Sequence, residues 1–249
     1  MNDVISQLKN RKSVRSFSNG SVSEEHLIEI FEAAQQAPTS INAQQITLVY
    51  TRDKEIIKKI ADLAGGQTQV ASADVFVTIV IDFNRTKIAS KLGGKEQVIH
   101  ATAEGLVVGA GDAGIMLNAL QTAANSLGYG STAIGGIRNN PNAMIELLKL
   151  PKMTYPIFGI TLGVPSADNN SNVKPRVPLK SFALEGIYNS DLVEEGVKLY
   201  DITLRQWWDD QNLFDMRSYT EETAMFYSQV YFPKVAETLS RQGFDFKDE

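Results

Sequence analysis

Apolar residues at helical spacing mark the first clear element of the chain. Leu27, Ile30 and Ala34 recur at intervals of three and four residues, and Ser23 stands just before this run. Such spacing places the apolar side chains on one face of a helix, and a serine at its start can accept a hydrogen bond from an unpaired backbone N–H group. The pattern therefore predicts an amphipathic helix over residues 24–37.

Short apolar runs elsewhere in the chain predict strands. Residues 74–82 are apolar at most positions, which is typical of a strand covered on both faces, and further apolar runs predict strands at 46–50 and 156–164. Between the first two strands, Asp53 precedes a helical run that extends to Leu63. Strands interspersed with helices in this way predict the α+β class.

A long apolar stretch and a later change of composition organise the rest of the chain. Residues 96–127 contain no proline and are dominated by Ala, Leu, Val, Gly and Met, so a long buried helix is expected there. Beyond the last predicted strand a polar, proline-containing loop follows, and helical patterns return over 191–208 and 220–241. We therefore divide one domain into two parts, a core of residues 1–165 and a loop with a helical C-terminal extension, residues 166–249.

Composition and charge exclude several kinds of protein. The 249 residues include 29 acidic and 24 basic side chains, a net charge of −5, so no nucleic-acid partner is expected. The absence of cysteine excludes disulfides, thiolate catalysis and cysteine-ligated metal centres. Only two histidines are present, His26 and His100, and neither stands in a metal-ligand motif. No run is long and apolar enough for a membrane helix and the first residues lack a secretory pattern, so a cytoplasmic protein without a membrane partner is expected.

A glycine motif within the long apolar stretch has two interpretations. Gly109, Gly111 and Gly114 match the spacing of a dinucleotide-binding turn, which would make the chain a Rossmann-type NAD(P)-dependent dehydrogenase. That turn requires a preceding strand and an acidic residue about 20 positions later, and neither is evident. Alternatively, small residues let a buried helix pack closely against a neighbour; they are Gly105, Gly109, Ala110, Ala113 and Gly114. The missing acid favours the packing interpretation.

The first group of cations lies near the start of the chain. Arg11, Lys12 and Arg15 stand around Ser13 and Val14. If this stretch is extended, Ser13 and Arg15 share one side and Val14 faces the core. Cations so placed can hold a phosphate or the polar rim of a ring, although a solvated basic turn has the same pattern.

Two further motifs suit the same kind of ligand. Lys174 and Arg176 lie two residues apart across Pro175, so both can face one anion, although surface cations have the same pattern. Gly135 and Gly136 offer backbone amides without side chains, which suits the close approach of a flat ring.

Four motifs occur in an order and at a spacing that resemble a known family. They are Arg11–Phe17, Gly65–Gln67, Ile134–Asn140 and Lys174–Arg176. The chain is similar to the nitroreductase superfamily, in the branch of NADPH-dependent oxygen-insensitive nitroreductases and FMN reductases. The resemblance implies a nitroreductase-like fold with a central mixed sheet flanked by helices. It also implies a homodimer, in which the helix over 96–127 lies at the interface and each noncovalently bound FMN lies between the subunits.

The same resemblance implies which residues contact FMN. The phosphate, the ribityl chain and the pyrimidine end would be contacted by residues near the N-terminus: Arg11, Lys12, Ser13 and Arg15. Two cations would hold the phosphate: Lys174 and Arg176. Two polar side chains would hydrogen-bond the flavin: Thr39 and Gln67. A stretch of chain would lie along the ring: Ala133, Ile134, Gly135 and Gly136.

The implied activity is the reduction of small electron acceptors by NADPH or NADH. In a ping-pong mechanism, hydride would pass from the nicotinamide to FMN and then to a nitroaromatic, a quinone or a free flavin. Lys12 and Arg15 are candidates for stabilising negative charge on the reduced flavin. Residues 207–217 contain three aspartates and one arginine where the family carries arginines for the 2′-phosphate, so the coenzyme preference stays open. A noncatalytic flavin-binding protein is a further alternative.

Overall fold

The chain divides into two compact units. A computed structural model describes residues 2–169 and 171–248. One unit comprises Met1–Ser171 and Phe232–Glu249, and the other comprises Asn172–Tyr231. These units differ from the division at residue 165 that the sequence suggested, because the last stretch of the chain belongs with the first unit.

A four-stranded sheet forms the centre of the first unit. Its strands are β1 (Ile46–Thr51), β2 (Val75–Asp82), β3 (Gly130–Ile134) and β4 (Thr154–Gly163), in the order β1-β2-β4-β3. The α+β class is confirmed. Each strand runs antiparallel to its neighbours, so the expected mixed sheet is corrected to an antiparallel one within the described chain.

Both faces of this sheet are covered, as the run of apolar residues in β2 predicted. Val75, Val77 and Ile79 belong to one buried cluster, whereas Phe76 belongs to another. Successive side chains of a strand point to opposite faces, so the two clusters lie on opposite sides of the sheet. β2 is buried along almost its whole length.

Helices surround the sheet and form most of the second unit. In the first unit they are α1 (Asp3–Lys9), α2 (Glu24–Gln35), α3 (Lys54–Leu63), α4 (Thr68–Ala71), α5 (Phe83–Leu92), α6 (Ala103–Ser126) and α7 (Pro141–Leu147). The second unit contains α8 (Leu179–Phe182), α9 (Ser190–Asp209) and α10 (Tyr219–Tyr227), and the last helix of the first unit is α11 (Val235–Gln242). Among the described residues, no helix combines the length and apolar character needed to cross a membrane.

The predicted helix over 96–127 begins later than expected. A short 3₁₀ turn occupies Ile99–Ala101, and α6 starts only after Thr102. The Thr102 side chain accepts a hydrogen bond from the Gly105 backbone N–H and so caps the helix. The 3₁₀ turn Ile99–Ala101 therefore precedes α6 and is not part of it.

The glycine motif lies inside α6, so the interpretation as a dinucleotide-binding turn is wrong. No strand enters it, because residues 103–126 form one continuous helix. A Cβ atom on Gly105 would overlap the Ile99 carbonyl oxygen, and one on Gly109 would lie 2.7 Å from Ile81 Cγ2. The close-packing interpretation therefore holds for these two glycines. Within one chain Gly114 has no such neighbour: it is exposed, and a Cβ there would come within 4 Å of no atom in the described residues.

The predicted helix over 220–241 is two helices. α10 ends at Tyr227 and α11 begins at Val235. Pro233 lies in the segment between them, and proline has no backbone N–H group to continue a helix. The other predicted C-terminal helix, 191–208, agrees with α9 to within one residue at each end.

Candidate functional site

The basic segment, residues 11–15, runs alongside β3. The Val14 N–H donates to the Ser131 carbonyl oxygen at 3.0 Å, and the Thr132 hydroxyl donates to the Val14 carbonyl oxygen at 2.5 Å. A Cβ on Gly130 would lie 2.6 Å from Val14 Cγ1, so only glycine allows this approach. Val14 is buried and Arg15 is exposed, which confirms the predicted alternation.

The chain that follows the basic segment is fixed against the end of β4. The Ser18 N–H donates to the Val164 carbonyl oxygen at 2.9 Å, and the Ser166 N–H donates to the Ser16 carbonyl oxygen at 3.0 Å. Phe17 and Pro165 form an isolated antiparallel bridge between these bonds. The backbone around the cations is therefore held by the sheet, unlike that of an ordinary solvated turn.

Part of the basic segment lines a cavity of about 260 Å³, which we call the cation cavity. Arg11 and Lys12 line it together with Gln121 and Ser131. The Gln121 amide donates to the Ser131 hydroxyl at 3.3 Å, and both side chains are buried. A guanidinium, an ammonium, an amide and a hydroxyl are donors that suit a phosphorylated, oxygen-rich ligand such as FMN.

β3 connects the basic segment to the paired glycines. It ends at Ile134, and Gly136–Asn139 then forms a 3₁₀ turn. A Cβ on Gly136 would overlap the Gln67 amide nitrogen and the Ala64 carbonyl oxygen. The structure therefore brings Gln67 and Gly136 together, although they are far apart in sequence.

The residues of β3 that were expected to lie along a ring differ in exposure. Ala133 is exposed, whereas the Ile134 side chain is buried in the core below the sheet. Only the backbone of Ile134 is therefore available to a ligand. The Gln67 side chain is half-buried, donates to the Ala64 carbonyl oxygen at 2.9 Å and accepts from the Gln69 amide at 2.6 Å.

Thr39 lies at a different cavity. The turn 39–44 contains a 3₁₀ helix, Ser40–Asn42, and the Thr39 hydroxyl oxygen accepts a hydrogen bond from the Gln44 N–H at 3.1 Å. Thr39, Asn42 and Gln44 line a cavity of about 350 Å³, the turn cavity, which shares no lining residue with the cation cavity. Within one chain, Thr39 and the basic segment therefore line two different cavities.

In the second unit, the Lys-Pro-Arg loop (residues 174–176) is packed against its own neighbours. The Arg176 guanidinium donates to the carbonyl oxygens of Lys174 and Pro175, each at 3.0 Å, and the Lys174 ammonium lies 4.5 Å from the Trp208 ring centroid. Burial raises the pKa of Tyr200, and the nearby Arg176 charge opposes this shift. Both side chains are exposed, and the two bonds to carbonyl oxygens engage only one guanidinium nitrogen of Arg176.

Near its C-terminal end, α9 carries an arginine that the sequence analysis missed, Arg205. A cavity of about 620 Å³ is lined by both Arg205 and Arg217. Arg205 donates to Asp209 at 2.8 Å, and Arg217 lies 3.5 Å from Glu222. Arg205 lies two residues before the acidic stretch 207–217. Its spacing of four residues from Asp209 on a predicted helix could have indicated this ion pair from the sequence.

Comparison with known proteins identifies the class to which this fold and this pattern of cations belong. The Nitroreductase family model matches residues 8–164, and the model of the Nitroreductase family, C-terminal domain, matches residues 174–247. The chain belongs to the nitroreductase family. The resemblance seen in the four sequence motifs is thereby confirmed, and so is the nitroreductase-like fold.

Individual relatives are similar over nearly their whole length. The chain is 40% identical to "FMN reductase [NAD(P)H]" of Bacillus subtilis (strain 168), over 98% of both chains. It is 32% identical to "Cr(VI) reductase" of Pseudomonas sp. (strain G-1), over 96% of this chain and 98% of that one. The solved structure of B. megaterium NfrA2 superposes with a TM-score of 0.95 at 38% identity, over 100% of both chains. These relatives bear the names of reductases, so the alternative of a noncatalytic flavin-binding protein is wrong.

Proposed function

We propose that the chain is an FMN-dependent oxidoreductase that takes hydride from NADPH or NADH and delivers it to small electron acceptors by a ping-pong mechanism. One observation supports this proposal above the others. The sheet holds a basic segment in place at a polar cavity, and the adjoining strand leads directly to the paired glycines and Gln67. Cations, hydroxyls and the Gln67 amide are thus joined through one strand, as binding a phosphorylated, hydrogen-bonding ring requires.

The proposed FMN contacts fall into three groups. Residues of the basic segment contact the phosphate, the ribityl chain and the pyrimidine end of the ring: Arg11, Lys12, Ser13 and Arg15. The phosphate is held by the cations of the Lys-Pro-Arg loop: Lys174 and Arg176. Hydrogen bonds and close backbone approach come from the remaining set: Thr39, Gln67, Ala133, Ile134, Gly135 and Gly136.

The electrostatic contribution of the protein comes from its cations. FMN supplies the hydride-accepting and hydride-donating chemistry when it is bound. With FMN bound, Lys12 and Arg15 would stabilise negative charge at the pyrimidine end of the reduced ring, a contribution worth about 3 kcal/mol in a partly dry site. Neither a nucleophile nor a proton relay from the protein is needed for hydride transfer, which agrees with a chain that has no cysteine and two histidines.

We propose a broad range of acceptors. Nitroaromatics, quinones and free flavins all accept electrons from a flavin that is exposed to a shared binding position. The FMN reductase and Cr(VI) reductase relatives add free FMN and chromate to the acceptors worth testing. A cytoplasmic location is proposed with this activity, since the reduced nicotinamide nucleotides that it uses are cytoplasmic metabolites.

We also propose that the enzyme discriminates only weakly between NADPH and NADH. Arg205 and Arg217 are the cations of the cavity in the second unit, and each already has a carboxylate partner. Asp215 and Glu221 line the same cavity. These carboxylates oppose a 2′-phosphate, so NADH is expected to be accepted as well as NADPH.

A homodimer with α6 at its interface is part of the proposal. Val107, Gly111 and Ile115 lie four residues apart on one face of α6, and both apolar side chains are exposed. A Cβ on Gly111 would approach no atom of the described chain within 4 Å. This exposed, flat face on a long helix suits a second copy of the chain.

Gly111→Arg tests the dimer. Arginine fits at this position within one chain and favours a helix more than glycine does, so the variant should fold. We expect wild-type protein to sediment as a dimer and the variant as a monomer with weaker FMN retention. Gly93→Arg, at the exposed end of α5, makes the same chemical change and should stay dimeric. A monomeric wild type, or a dimeric Gly111→Arg protein, would contradict the arrangement.

Separate half-reactions test the proposed mechanism. Anaerobic addition of NADPH or NADH to the FMN-loaded enzyme should bleach the flavin absorbance, and removal of the nucleotide should leave it bleached. Subsequent addition of a quinone or a nitroaromatic should restore the colour, and steady-state double-reciprocal plots should be parallel. Intersecting plots, or recovery of colour only while the nucleotide is present, would show that the two substrates bind together.

A further inference from the structure

The turn 39–44 has a left-handed backbone conformation that is unfavourable for two of its residues, Ile41 and Gln44. Ile41, Asn42 and Gln44 have φ values of 48°, 57° and 54°, in the left-handed region. A β-branched residue is rare there, because its side chain crowds the backbone. The Ile41 side chain is 94% exposed, so burial does not compensate for this conformation. Hydrogen bonds within the turn, such as that from the Asn42 N–H to the Thr39 carbonyl oxygen, support this conformation, and contacts from outside the turn add to them.

A buried carboxyl group supplies such contacts. Asp112 lies in the middle of α6 and is 7% exposed. One of its oxygens, Oδ2, accepts hydrogen bonds from the Ser40 backbone N–H at 3.2 Å and from the Gln45 side-chain amide at 2.5 Å. Asp112 therefore contacts both ends of the turn, across more than 60 residues of sequence.

The second contact is itself anchored to the sheet. Gln45 is 1% exposed, and its backbone carbonyl oxygen accepts a hydrogen bond at 2.8 Å from the N–H of Asp82, at the end of β2. A carboxylate can only accept hydrogen bonds, so the amide nitrogen of Gln45 must face Asp112. The side-chain oxygen of Gln45, Oε1, is buried and has no hydrogen-bond partner among the described residues. The contact with Asp112 thus fixes the orientation of this side chain.

The position of Asp112 also connects the turn to its cavity. Met116 lies one helical turn further along α6 and lines the turn cavity, as do Thr39, Asn42 and Gln44. Burying a carboxylate is costly, and a purely structural contact at this place could be made by apolar residues. Asp112 connects α6 to a turn with an unfavourable backbone conformation. We explain its carboxyl group by the need to keep that turn in one conformation.

We propose that Asp112 is a positioning residue. Through Ser40 and Gln45 it keeps the turn 39–44 in the conformation that presents Thr39 and its neighbours to the turn cavity. The inference rests on the proposed contact between Thr39 and FMN. It assigns the shape of this part of the site to a helix residue that does not itself line the turn cavity.

Three variants separate positioning from general stability. Asp112→Ala removes the acceptor that Ser40 and Gln45 share. We expect the Kd for FMN and the KM for 1,4-benzoquinone each to rise roughly tenfold, because the buried Gln45 amide and the part-buried Ser40 N–H lose this acceptor. Asp112→Asn should restore most of the loss, because its side-chain oxygen, in the place of Oδ2, can accept hydrogen bonds from both Ser40 and Gln45. Leu120→Ala, in the buried core of the same helix, should lower the melting temperature but leave both constants unchanged.

The outcomes distinguish this inference from the proposed function. Thr39→Val removes the hydroxyl while leaving Asp112 in place, and it should also weaken FMN binding. If Thr39→Val weakens binding and Asp112→Ala does not, Asp112 has no positioning role although the turn meets the flavin. If neither variant changes the two constants, the turn does not meet the flavin and both ideas fail. If Leu120→Ala changes the constants as much as Asp112→Ala does, the effect is loss of stability and the inference is overturned.

Discussion

Lys12→Gln should lower the two-electron reduction potential of bound FMN by roughly 20–60 mV, the equivalent of about 1–3 kcal/mol. Lys12 lines the cation cavity, and its segment is fixed to β3 by backbone hydrogen bonds. A positive charge held beside the flavin stabilises the reduced form, which carries the additional negative charge. Glutamine keeps much of the length and polarity but removes the charge. Bleaching by NAD(P)H should therefore also be slower.

The measurement is an anaerobic redox titration of the FMN-loaded variants. Lys9→Gln is the matched control, because Lys9 is exposed at the end of α1 and does not line the cation cavity. Its potential should equal that of the wild type. An unchanged potential in Lys12→Gln, or an equal decrease in Lys9→Gln, would remove Lys12 from its proposed electrostatic role.

Arg176→Ala should raise the Kd for FMN by roughly 10- to 100-fold, the usual loss when one partner of a charge-assisted hydrogen bond is removed. The side chain is exposed and reaches only carbonyl oxygens of its own loop in the described contacts, so its removal should leave the fold intact. The loss should appear as release of flavin on dilution. Fluorescence titration of the apoprotein with FMN measures the constant.

Lys180→Ala serves as the control for loss of charge in the same unit. Lys180 is exposed and forms an ion pair with Glu195 at 2.8 Å. Surface ion pairs of this kind contribute little, and this lysine has no proposed contact with FMN. If Lys180→Ala weakens FMN binding as much as Arg176→Ala does, the effect is one of net charge and not of a specific phosphate contact.

Local patterns predicted much of the fold. The helical spacing around Leu27 and Ile30 gave α2, the apolar run at 74–82 gave β2, and 191–208 gave α9, because each pattern is set by neighbouring residues. β3 was not predicted, since Gly130, Ser131 and Thr132 lack an apolar run. These residues are buried because strand pairing and the approach of Val14 cover them, which is a tertiary effect.

The candidate site was predictable only where neighbours in sequence determine it. The alternation of Ser13, Val14 and Arg15 followed from the two-residue period of an extended chain. The contact between Asp112 and Ser40 joins residues that are far apart in the sequence, so no local pattern predicts it. Asp112 also lies within the glycine motif, which suggested a dinucleotide as the ligand. Close packing was correctly predicted at Gly109, whereas Gly114 has no close neighbour within one chain.

The central claim is that cations from the basic segment and from the Lys-Pro-Arg loop hold one FMN, with the loop on its phosphate. Comparing FMN with riboflavin tests it most directly, because riboflavin differs only by lacking the phosphate. We expect Arg176→Ala to weaken FMN binding and leave riboflavin binding unchanged, whereas Lys12→Gln weakens the binding of both ligands. Equal losses for FMN and riboflavin in Arg176→Ala, or no loss of FMN in either variant, would contradict the account.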